Sequence, residues 1–301
     1  MSVITISPEA ALRKEFVEKT IVTKSEPLLP FLDMFPVVDL AGSSTFQFFQ
    51  DSTTAETDIT TGVMSLPMEM SELGKMTKVN VTPITKKLGD TYQFGYKLEF
   101  SKQVTRENGF VDEILRAYDR ATYGICRKIN GDVYQNMSDF AAAPTITLAD
   151  GVWSGASSSV PTSGAISQDI IELQDAYDQV GWEYELSDLY LNKRQYYAVK
   201  QYYRATESTP FNPDDVDGVR LNNTKGGVPS GTLFGLDNKI QPITVYKNTD
   251  PDFSSDPTHS IINIDKYQQL EYPKKQVIEI WVEMGLGMKE PYSVLKQTGL
   301  V

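Results

Sequence analysis

The chain has 301 residues, of which 40% are hydrophobic and 23% are charged, so it has the composition of a globular protein and the length for about two domains. Its net charge of −12 argues against a protein built to grip nucleic acid, because that task needs a basic surface. A single cysteine, Cys126, excludes an intrachain disulfide. The N-terminus lacks the pattern of a signal peptide, and no stretch approaches the roughly 18 apolar residues of a membrane span.

Residues 1–44 combine a short helical pattern with an extended apolar segment. Apolar side chains on one side predict a helix over residues 8–19. Pro27, Pro30 and Pro36 then interrupt a run of Leu, Met and Phe and exclude a regular helix there. Because an apolar extended segment is a liability when it is free in water, we expect an arm that lies along other surfaces.

Residues 45–100 form a long, polar excursion rich in strand patterns. Strands are predicted at 45–50 and around 78–82, with a Thr-, Ser- and acid-rich stretch between them. Residues 92–100 alternate strictly, with Tyr92, Phe94, Tyr96, Leu98 and Phe100 on one face. An isolated hairpin is marginal in water, so its strands need another surface. The simplest supplier is another copy of the same chain, which indicates a protein that builds assemblies.

One long amphipathic helix is predicted over residues 110–137. Asn108 can cap it, and Asp112 and Glu113 lie in the first turn, where the helix dipole favours acids. Apolar residues recur at helical spacing from 111 to 133, which indicates core packing. Gly124 and the Asn130-Gly131 pair weaken the pattern, so an end near residue 129 is also open.

Beyond a Ser- and Gly-rich stretch at 141–166, helices alternate with strands. The predicted elements, in order, are a helix from Ser167 to Gly181, a buried strand at 186–191, a helix at 193–204 with four tyrosines, a polar loop at 206–230, a strand pair around 240–245 after the Gly231–Gly235 turn, a strand at 276–288 and a last short strand at 293–301.

The search for catalytic chemistry finds no motif. Phosphate-binding loops, dinucleotide turns, nucleophile elbows and zinc helices are absent from the sequence. The one histidine, His259, lies in a Pro- and Asp-rich loop and is interpreted as an exposed loop residue. Cys126 is interpreted as a small buried hydrophobe on a helix and not as a reactive thiol. We therefore expect no catalytic, cofactor-binding or metal site.

Two acidic loops and many tyrosines leave alternatives to weigh. Asp214, Asp215 and Asp217 precede Gly218, and three more aspartates lie within residues 250–256. Oxygen clusters of this kind can hold calcium, but the helix–loop–helix pattern is incomplete, so a solvated turn is favoured. The 16 tyrosines are better explained as buried or interface anchors than as a stacking surface for nucleic acid.

Taken together, the order of elements resembles the major capsid proteins of tailed double-stranded DNA viruses and their archaeal relatives, the HK97-like family. The resemblance covers essentially the whole chain and depends on element order, including the strand-to-helix step at 189–197. It implies an α+β HK97-like fold. Its parts would be an N-terminal arm (1–44), an extended loop (45–100), a peripheral domain (101–165) with the spine helix 110–137, an axial domain (166–275), a return strand (276–290) and a C-terminal strand (291–301).

The resemblance also implies a function without catalysis. The chain would be a structural protein of the virion, not an enzyme, that is assembled in the host cytoplasm. It would form pentamers and hexamers of an icosahedral shell around double-stranded DNA, without sequence-specific binding or membrane contact. A portal, decoration proteins and a scaffolding protein would be partners, and the scaffold is expected to be separate because Met1 leads directly into the arm. The rival hypotheses are a glycan-binding, adhesin-like protein and a carboxylate-dependent hydrolase.

Overall fold

We describe the protein from a computed structural model that covers residues 14–25, 28–29, 35–50, 85–101, 111–141, 165–178, 184–206, 211–224, 228–229, 231–248, 261–269 and 275–300. The helices are α1 (Lys14–Ser25), α2 (Val111–Phe140), α3 (Ala165–Asp178) and α4 (Lys193–Thr206). The strands are β1 (Val37–Asp39), β2 (Thr45–Gln50), β3 (Thr85–Asp90), β4 (Tyr92–Ser101), β5 (Asp188–Leu191), β6 (Arg220–Asn223), β7 (Thr232–Leu236), β8 (Ile243–Lys247), β9 (Asn263–Gln269), β10 (Lys275–Met288) and β11 (Val294–Thr298). A 3₁₀ turn, Pro291–Ser293, precedes β11.

The chain divides into two compact units, each made of segments that are distant in sequence. The first unit comprises Met1–Phe46, Leu88–Val133 and Thr244–Gly287. The second comprises Gln47–Lys87, Tyr134–Ile243 and Met288–Val301. Since α2 begins in the first unit and ends in the second, it is one continuous element shared by both.

The first unit is built on a five-stranded sheet with β10 at its centre. The strand order is β1-β8-β10-β4, and β9 also pairs with β10. The β4–β10 ladder is antiparallel over ten residues, from Ser101 opposite Lys275 to Tyr92 opposite Met284. Alternate residues of β10 are fully buried because they form one face of the pleat; these are Ile278, Ile280, Val282 and Met284. The predicted strand at 276–288 is confirmed.

Helix α2 is amphipathic along its 30 residues, which span about 45 Å. It buries one stripe at three- and four-residue spacing: Ile114, Tyr118, Ala121, Ile125, Ile129 and Val133. Burying each larger apolar side chain of this stripe contributes roughly 1.5–3 kcal/mol. That packing outweighs the weak helix propensity of Gly124 and Gly131. The predicted helix at 110–137 is confirmed, and the alternative end near 129 is wrong.

The second unit contains a four-stranded sheet in the order β11-β7-β5-β6. Helices α3 and α4 share one hydrophobic core with the sheet, which includes Leu189 and Leu191 of β5. The intervening Tyr190 lies on the other face, where its ring and that of Phe234 neighbour Tyr134 at the C-terminal end of α2. Both faces of this sheet are therefore covered, which explains why β5 is buried at every position.

The N-terminal arm differs from the expectation in its described part. Helix α1 runs to Ser25, six residues beyond the predicted end, because both Val17 and Ile21 are buried within the chain itself. Residues 8–13 lie outside the described ranges. The side chain of Asn130 on α2 donates a hydrogen bond to the carbonyl of Leu28. Strand β1 adds to the sheet in parallel with β8. Much of the described arm thus packs on its own subunit.

Three other predictions need correction. Ser167 lies inside α3 and does not cap it, since the helix begins at Ala165. The predicted loop at 206–230 contains β6, which pairs in parallel with β5. The predicted turn at Gly231–Gly235 is strand β7, and the predicted strand pair around 240–245 is the single strand β8, which pairs with β1 and β10. The strand predicted around 78–82 lies outside the described residues.

Candidate functional site

Strands β2 and β3 form a two-stranded sheet of their own. The predicted strand at 45–50 is confirmed as β2, whereas β3 was not predicted. Phe49 is 64% exposed and Leu88 is 73% exposed, although both are large apolar side chains. Two strands without a covering layer bury too little surface for independent stability. This hairpin therefore presents apolar side chains that a partner surface can cover.

Phe46 anchors the root of this hairpin in a slot formed by two glycines and an aromatic ring. Its ring stacks on Tyr246 with centroids 4.1 Å apart and is 4% exposed. A Cβ atom on Gly285 would lie 2.9 Å from the Phe46 Cζ and closer still to Cε1. A Cβ on Gly89 would lie 2.7 Å from Cε2. Only glycine at these two positions leaves room for the ring. A glycine inside a strand often marks a place where another group comes close to the backbone, so Gly89 and Gly285 are the sequence signal for this slot.

A polar clamp ties both ends of the hairpin to the first unit. The Asn248 side chain accepts a hydrogen bond from the Gly42 amide at 2.7 Å and donates to the Ser43 carbonyl at 3.0 Å and to Glu283 Oε1 at 2.9 Å. On the other end, the Thr91 hydroxyl donates to the same Glu283 Oε1 at 2.8 Å. One carboxylate thus links the two ends, and sequence analysis did not single out any of these residues.

Strand β4 lies along α2 through the face predicted from its alternation. The Tyr92 hydroxyl donates to Asp132 Oδ2 at 2.9 Å, and Lys128 pairs with the same carboxylate at 2.6 Å. Burial, and then the neighbouring Asp132 carboxylate, raise the pKa of Tyr92. The Tyr96 ring lies over Gly124, where a Cβ would collide with it. The glycine that weakens the helix pattern thus serves strand–helix packing.

The opposite face of the same sheet is polar and cross-linked by charges. Lys97 lies within 3.8 Å of Glu279, and Lys275 pairs with Glu99 across the β4–β10 ladder. The Tyr267 hydroxyl on β9 also donates to Glu279 at 2.8 Å. Exposed pairs of this kind contribute little to stability. They mark this face as a solvated surface of the first unit.

The acidic turn at Asp214–Gly218 is a structural turn in the second unit. Asp217 and Gly218 both have positive φ angles, 53° and 83°, as a tight two-residue turn requires. The Asp217 carboxylate accepts hydrogen bonds from Ser167 on α3 and from Tyr203 on α4. Burial and then this carboxylate raise the pKa of Tyr203. Within the residues that the structure describes, no group of three His, Cys, Asp or Glu side chains could hold a metal ion.

Of the remaining candidates, only Cys126 lies within the described residues. Cys126 is buried on α2, and burial raises the pKa of its thiol to about 12, so its interpretation as a buried hydrophobe is confirmed. His259 and the aspartates at 250–256 lie outside the described ranges. None of the described helices is long and apolar enough to cross a membrane.

Several tyrosines are buried anchors, which agrees with their interpretation from sequence. The fully or almost fully buried ones are Tyr118, Tyr134, Tyr177, Tyr190, Tyr202 and Tyr203. The Tyr177 hydroxyl, for example, donates to the Ser293 carbonyl at 2.6 Å and fixes the 3₁₀ turn against α3. These rings are not available as a glycan- or base-stacking surface.

Comparison with known proteins gives a result at the level of structure alone. No family model and no curated protein matches the chain. The capsid of cyanophage P-SCSP1u is similar at 10% identity and a TM-score of 0.56, over 89% of this chain and 87% of its own. A virus-like particle from Pyrococcus furiosus is 9% identical with a TM-score of 0.52, over 94% and 98% of the two chains. The capsid of a native GTA particle is 12% identical with a TM-score of 0.55, over 90% of each chain.

These similarities run through nearly the full length of each chain, so they compare whole folds and not a shared fragment. The chain therefore has the HK97-like α+β fold of phage and virus capsid proteins.

Proposed function

We propose that this chain is a major capsid protein that self-assembles into an icosahedral shell around packaged double-stranded DNA. The observation that carries the proposal is a capsid-protein fold that extends over nearly the whole chain. A protein of this kind acts through geometry: many copies close a shell through pentamers and hexamers. No catalytic step is required, so the chain is proposed as a structural protein and not an enzyme.

The hairpin supports this proposal because its apolar side chains stay exposed beside the described residues of the subunit. Phe49 and Leu88 would be covered by a neighbouring copy in the shell. The anchor at Phe46 and the clamp at Asn248 would fix the direction in which the hairpin leaves its own subunit. Because these contacts hold the base of the hairpin rigid, less conformational entropy is lost when the hairpin docks on a neighbouring copy.

The division into parts is proposed along the same lines. Residues 1–44 would be the arm, 45–100 the extended loop, and 101–165 the peripheral domain with its spine helix. Residues 166–275 would be the axial domain, 276–290 the return strand, and 291–301 the C-terminal strand. Assembly in the host cytoplasm with a portal, a separate scaffolding protein and decoration proteins is also part of the proposal.

The acidic charge supports a container that does not bind its DNA tightly. The net charge of −12 supports an inner surface that is not strongly cationic, because a cationic lining would hinder packaging and release of DNA. We expect DNA binding by the purified subunit to be weak and to fall steeply with salt. Filter binding between 50 and 500 mM salt measures this, and tight binding that ignores salt would contradict it.

Sedimentation velocity and negative-stain electron microscopy of the purified chain test the proposal directly. The chain should form rings or closed shells at high concentration, alone or with its scaffold coexpressed. A glycan-binding protein would instead stay small and bind a glycan array, and a hydrolase would turn over a substrate. Either of those results, without assemblies under any condition, would overturn the proposal.

A further inference from the structure

The two helices of the second unit carry opposite charges. Helix α3 contains four acids and no base, whereas α4 contains four bases and no acid. The acids are Asp169, Glu172, Asp175 and Asp178, and the bases are Lys193, Arg194, Lys200 and Arg204. The whole chain has 28 basic and 40 acidic residues, so it is unusual that two helices of one core each carry charges of a single sign.

Each helix also presents an outward stripe of matching period. On α3 the exposed positions are Gln168, Ile171, Asp175 and Asp178. On α4 an exposed row runs through Arg194, Tyr197, Gln201 and Arg204, and Lys193 is exposed beside Arg194. Both sets follow a spacing of three, four and three residues, which is one face of a helix. At the middle of each stripe lies an apolar side chain: Ile171 is 50% exposed and Tyr197 is 47% exposed. The α4 stripe borders a shallow hollow of about 490 Å³ between Asn192 and Gln201.

The charges lie where they weaken their own helices. Asp175 and Asp178 occupy the C-terminal end of α3, where the helix dipole disfavours acids. Lys193 and Arg194 occupy the N-terminal end of α4, where it disfavours bases. Partial burial, Glu185 and Asp175 together raise the pKa of Asp178, which shows that negative charge is crowded there. Charges that oppose the helix dipole in this way are expected at functional surfaces.

The charges of α4 are not neutralised within the described part of the subunit. Lys193 lies over the Tyr197 ring and Lys200 over the Phe211 ring, but none of the four bases forms an ion pair with another described residue. An acidic surface would complement this face. The C-terminal end of the α3 stripe is acidic, and every copy of the chain carries this surface.

We propose that the α3 stripe of one copy docks on the α4 stripe of the next, so that Asp175 and Asp178 meet Lys193 and Arg194. The proposal deepens the proposed capsid function, on which it rests. Because the two surfaces differ, the contact is head-to-tail, and such contacts form a ring when the rotation between neighbours closes. A helix of 14 residues is about 21 Å long and about 10 Å wide. The contact would thus bury about 200 Å² per partner, about a quarter of a standard interface. It sets the register of a ring that other contacts hold together.

Charge reversal in trans tests the contact. Asp175→Lys with Asp178→Lys makes both stripes basic, and Lys193→Glu with Arg194→Glu makes both acidic. Each double variant alone should give at least about tenfold less assembled material than the parent chain, because like charges face each other. Coexpression of the two variants with different tags should restore assemblies that contain both. Each variant can contact only the other variant, so the two must alternate around a ring, and this requires an even number of copies. Six-membered rings should therefore be restored and five-membered rings should not.

Controls separate this contact from folding and from overall charge. The reversed charges agree with the helix dipoles, so the melting temperature of the unassembled variants should be unchanged or higher. Glu113→Lys with Asp139→Lys, and Arg116→Glu with Arg120→Glu, make the same charge changes at exposed positions of α2, outside both stripes. These control variants should assemble like the parent chain.

The outcomes distinguish this inference from the proposed function. If the parent chain never assembles, the capsid proposal fails. If the parent assembles and both stripe variants assemble equally well, the capsid proposal stands and the docking contact is refuted. Loss of assembly that coexpression does not restore would also refute it, because the charges would then act within one subunit.

Discussion

The slot around Phe46 allows a quantitative test of how the hairpin is anchored, by the substitution Gly285→Ala. The added methyl group would overlap the Phe46 ring and lie 3.2 Å from the Asp90 carbonyl oxygen. The ring cannot simply retreat, because Tyr246 stacks on it at 4.1 Å. Overpacking of this kind typically costs about 1–3 kcal/mol, and full loss of the buried Phe46 side chain would cost about 3–5 kcal/mol. We expect the unfolding free energy to fall by about 1–3 kcal/mol.

Urea denaturation of the unassembled subunit, followed by circular dichroism, measures this change. Gly131→Ala is the matched control, because nothing lies within 4 Å of that position on α2 and alanine favours the helix. That control should raise the unfolding free energy by about 0.5–1 kcal/mol. Gly285→Ala should also expose the hairpin to limited proteolysis, whereas Gly131→Ala should not.

A second substitution decides whether Phe46 is the group that collides. Replacing it by the smaller leucine in the Gly285→Ala background should recover part of the loss, so the two changes should be non-additive by about 1 kcal/mol or more. Strict additivity, or a Gly285→Ala variant with unchanged stability, would refute the slot and with it the anchoring of the hairpin root.

Two further predictions concern the buried stripe of α2. Ile125→Asp places a carboxylate where the side chain is 1% exposed, so the unfolding free energy should fall by more than about 4 kcal/mol and the native circular dichroism should be lost. Tyr123→Asp, at a half-exposed position of the same helix, should still fold. A soluble, native-like Ile125→Asp variant would contradict the packing. Cys126 should resist a thiol reagent at pH 8 until the protein unfolds, because its pKa of about 12 leaves about one thiolate in ten thousand. Rapid modification of the folded subunit would refute its burial.

The elements that could be predicted from the sequence are those whose pattern reflects their own burial. Helix α2 and strand β10 show clean periods because one side of each faces the core, whereas β4 alternates although Tyr92 and Tyr96 are 39% and 48% exposed. Strand β3 lacks a pattern, since nearly all of its residues are exposed and only pairing with β2 makes it a strand. Strand β6 was missed for a similar reason: it buries Leu221 alone.

The candidate site was harder to predict because its parts are distant in sequence. Phe46 and Gly285 are brought together only by the sheet, and a sequence pattern does not encode that pairing. The same holds for Asn248 and Glu283, whose types are unremarkable on their own. The opposite charges of α3 and α4, in contrast, are visible in the sequence, but their outward direction became clear only once the shared core was known.

Electron microscopy of the full chain and of a variant lacking residues 51–76 tests the central claim most directly. The account predicts closed shells or rings from the full chain, and a folded, soluble subunit without shells from the shortened one, since the hairpin is the element that reaches a neighbour. Circular dichroism confirms that the shortened variant is folded. Normal shells from the shortened chain, or a full chain that stays monomeric at every concentration and with its scaffold present, would contradict the account.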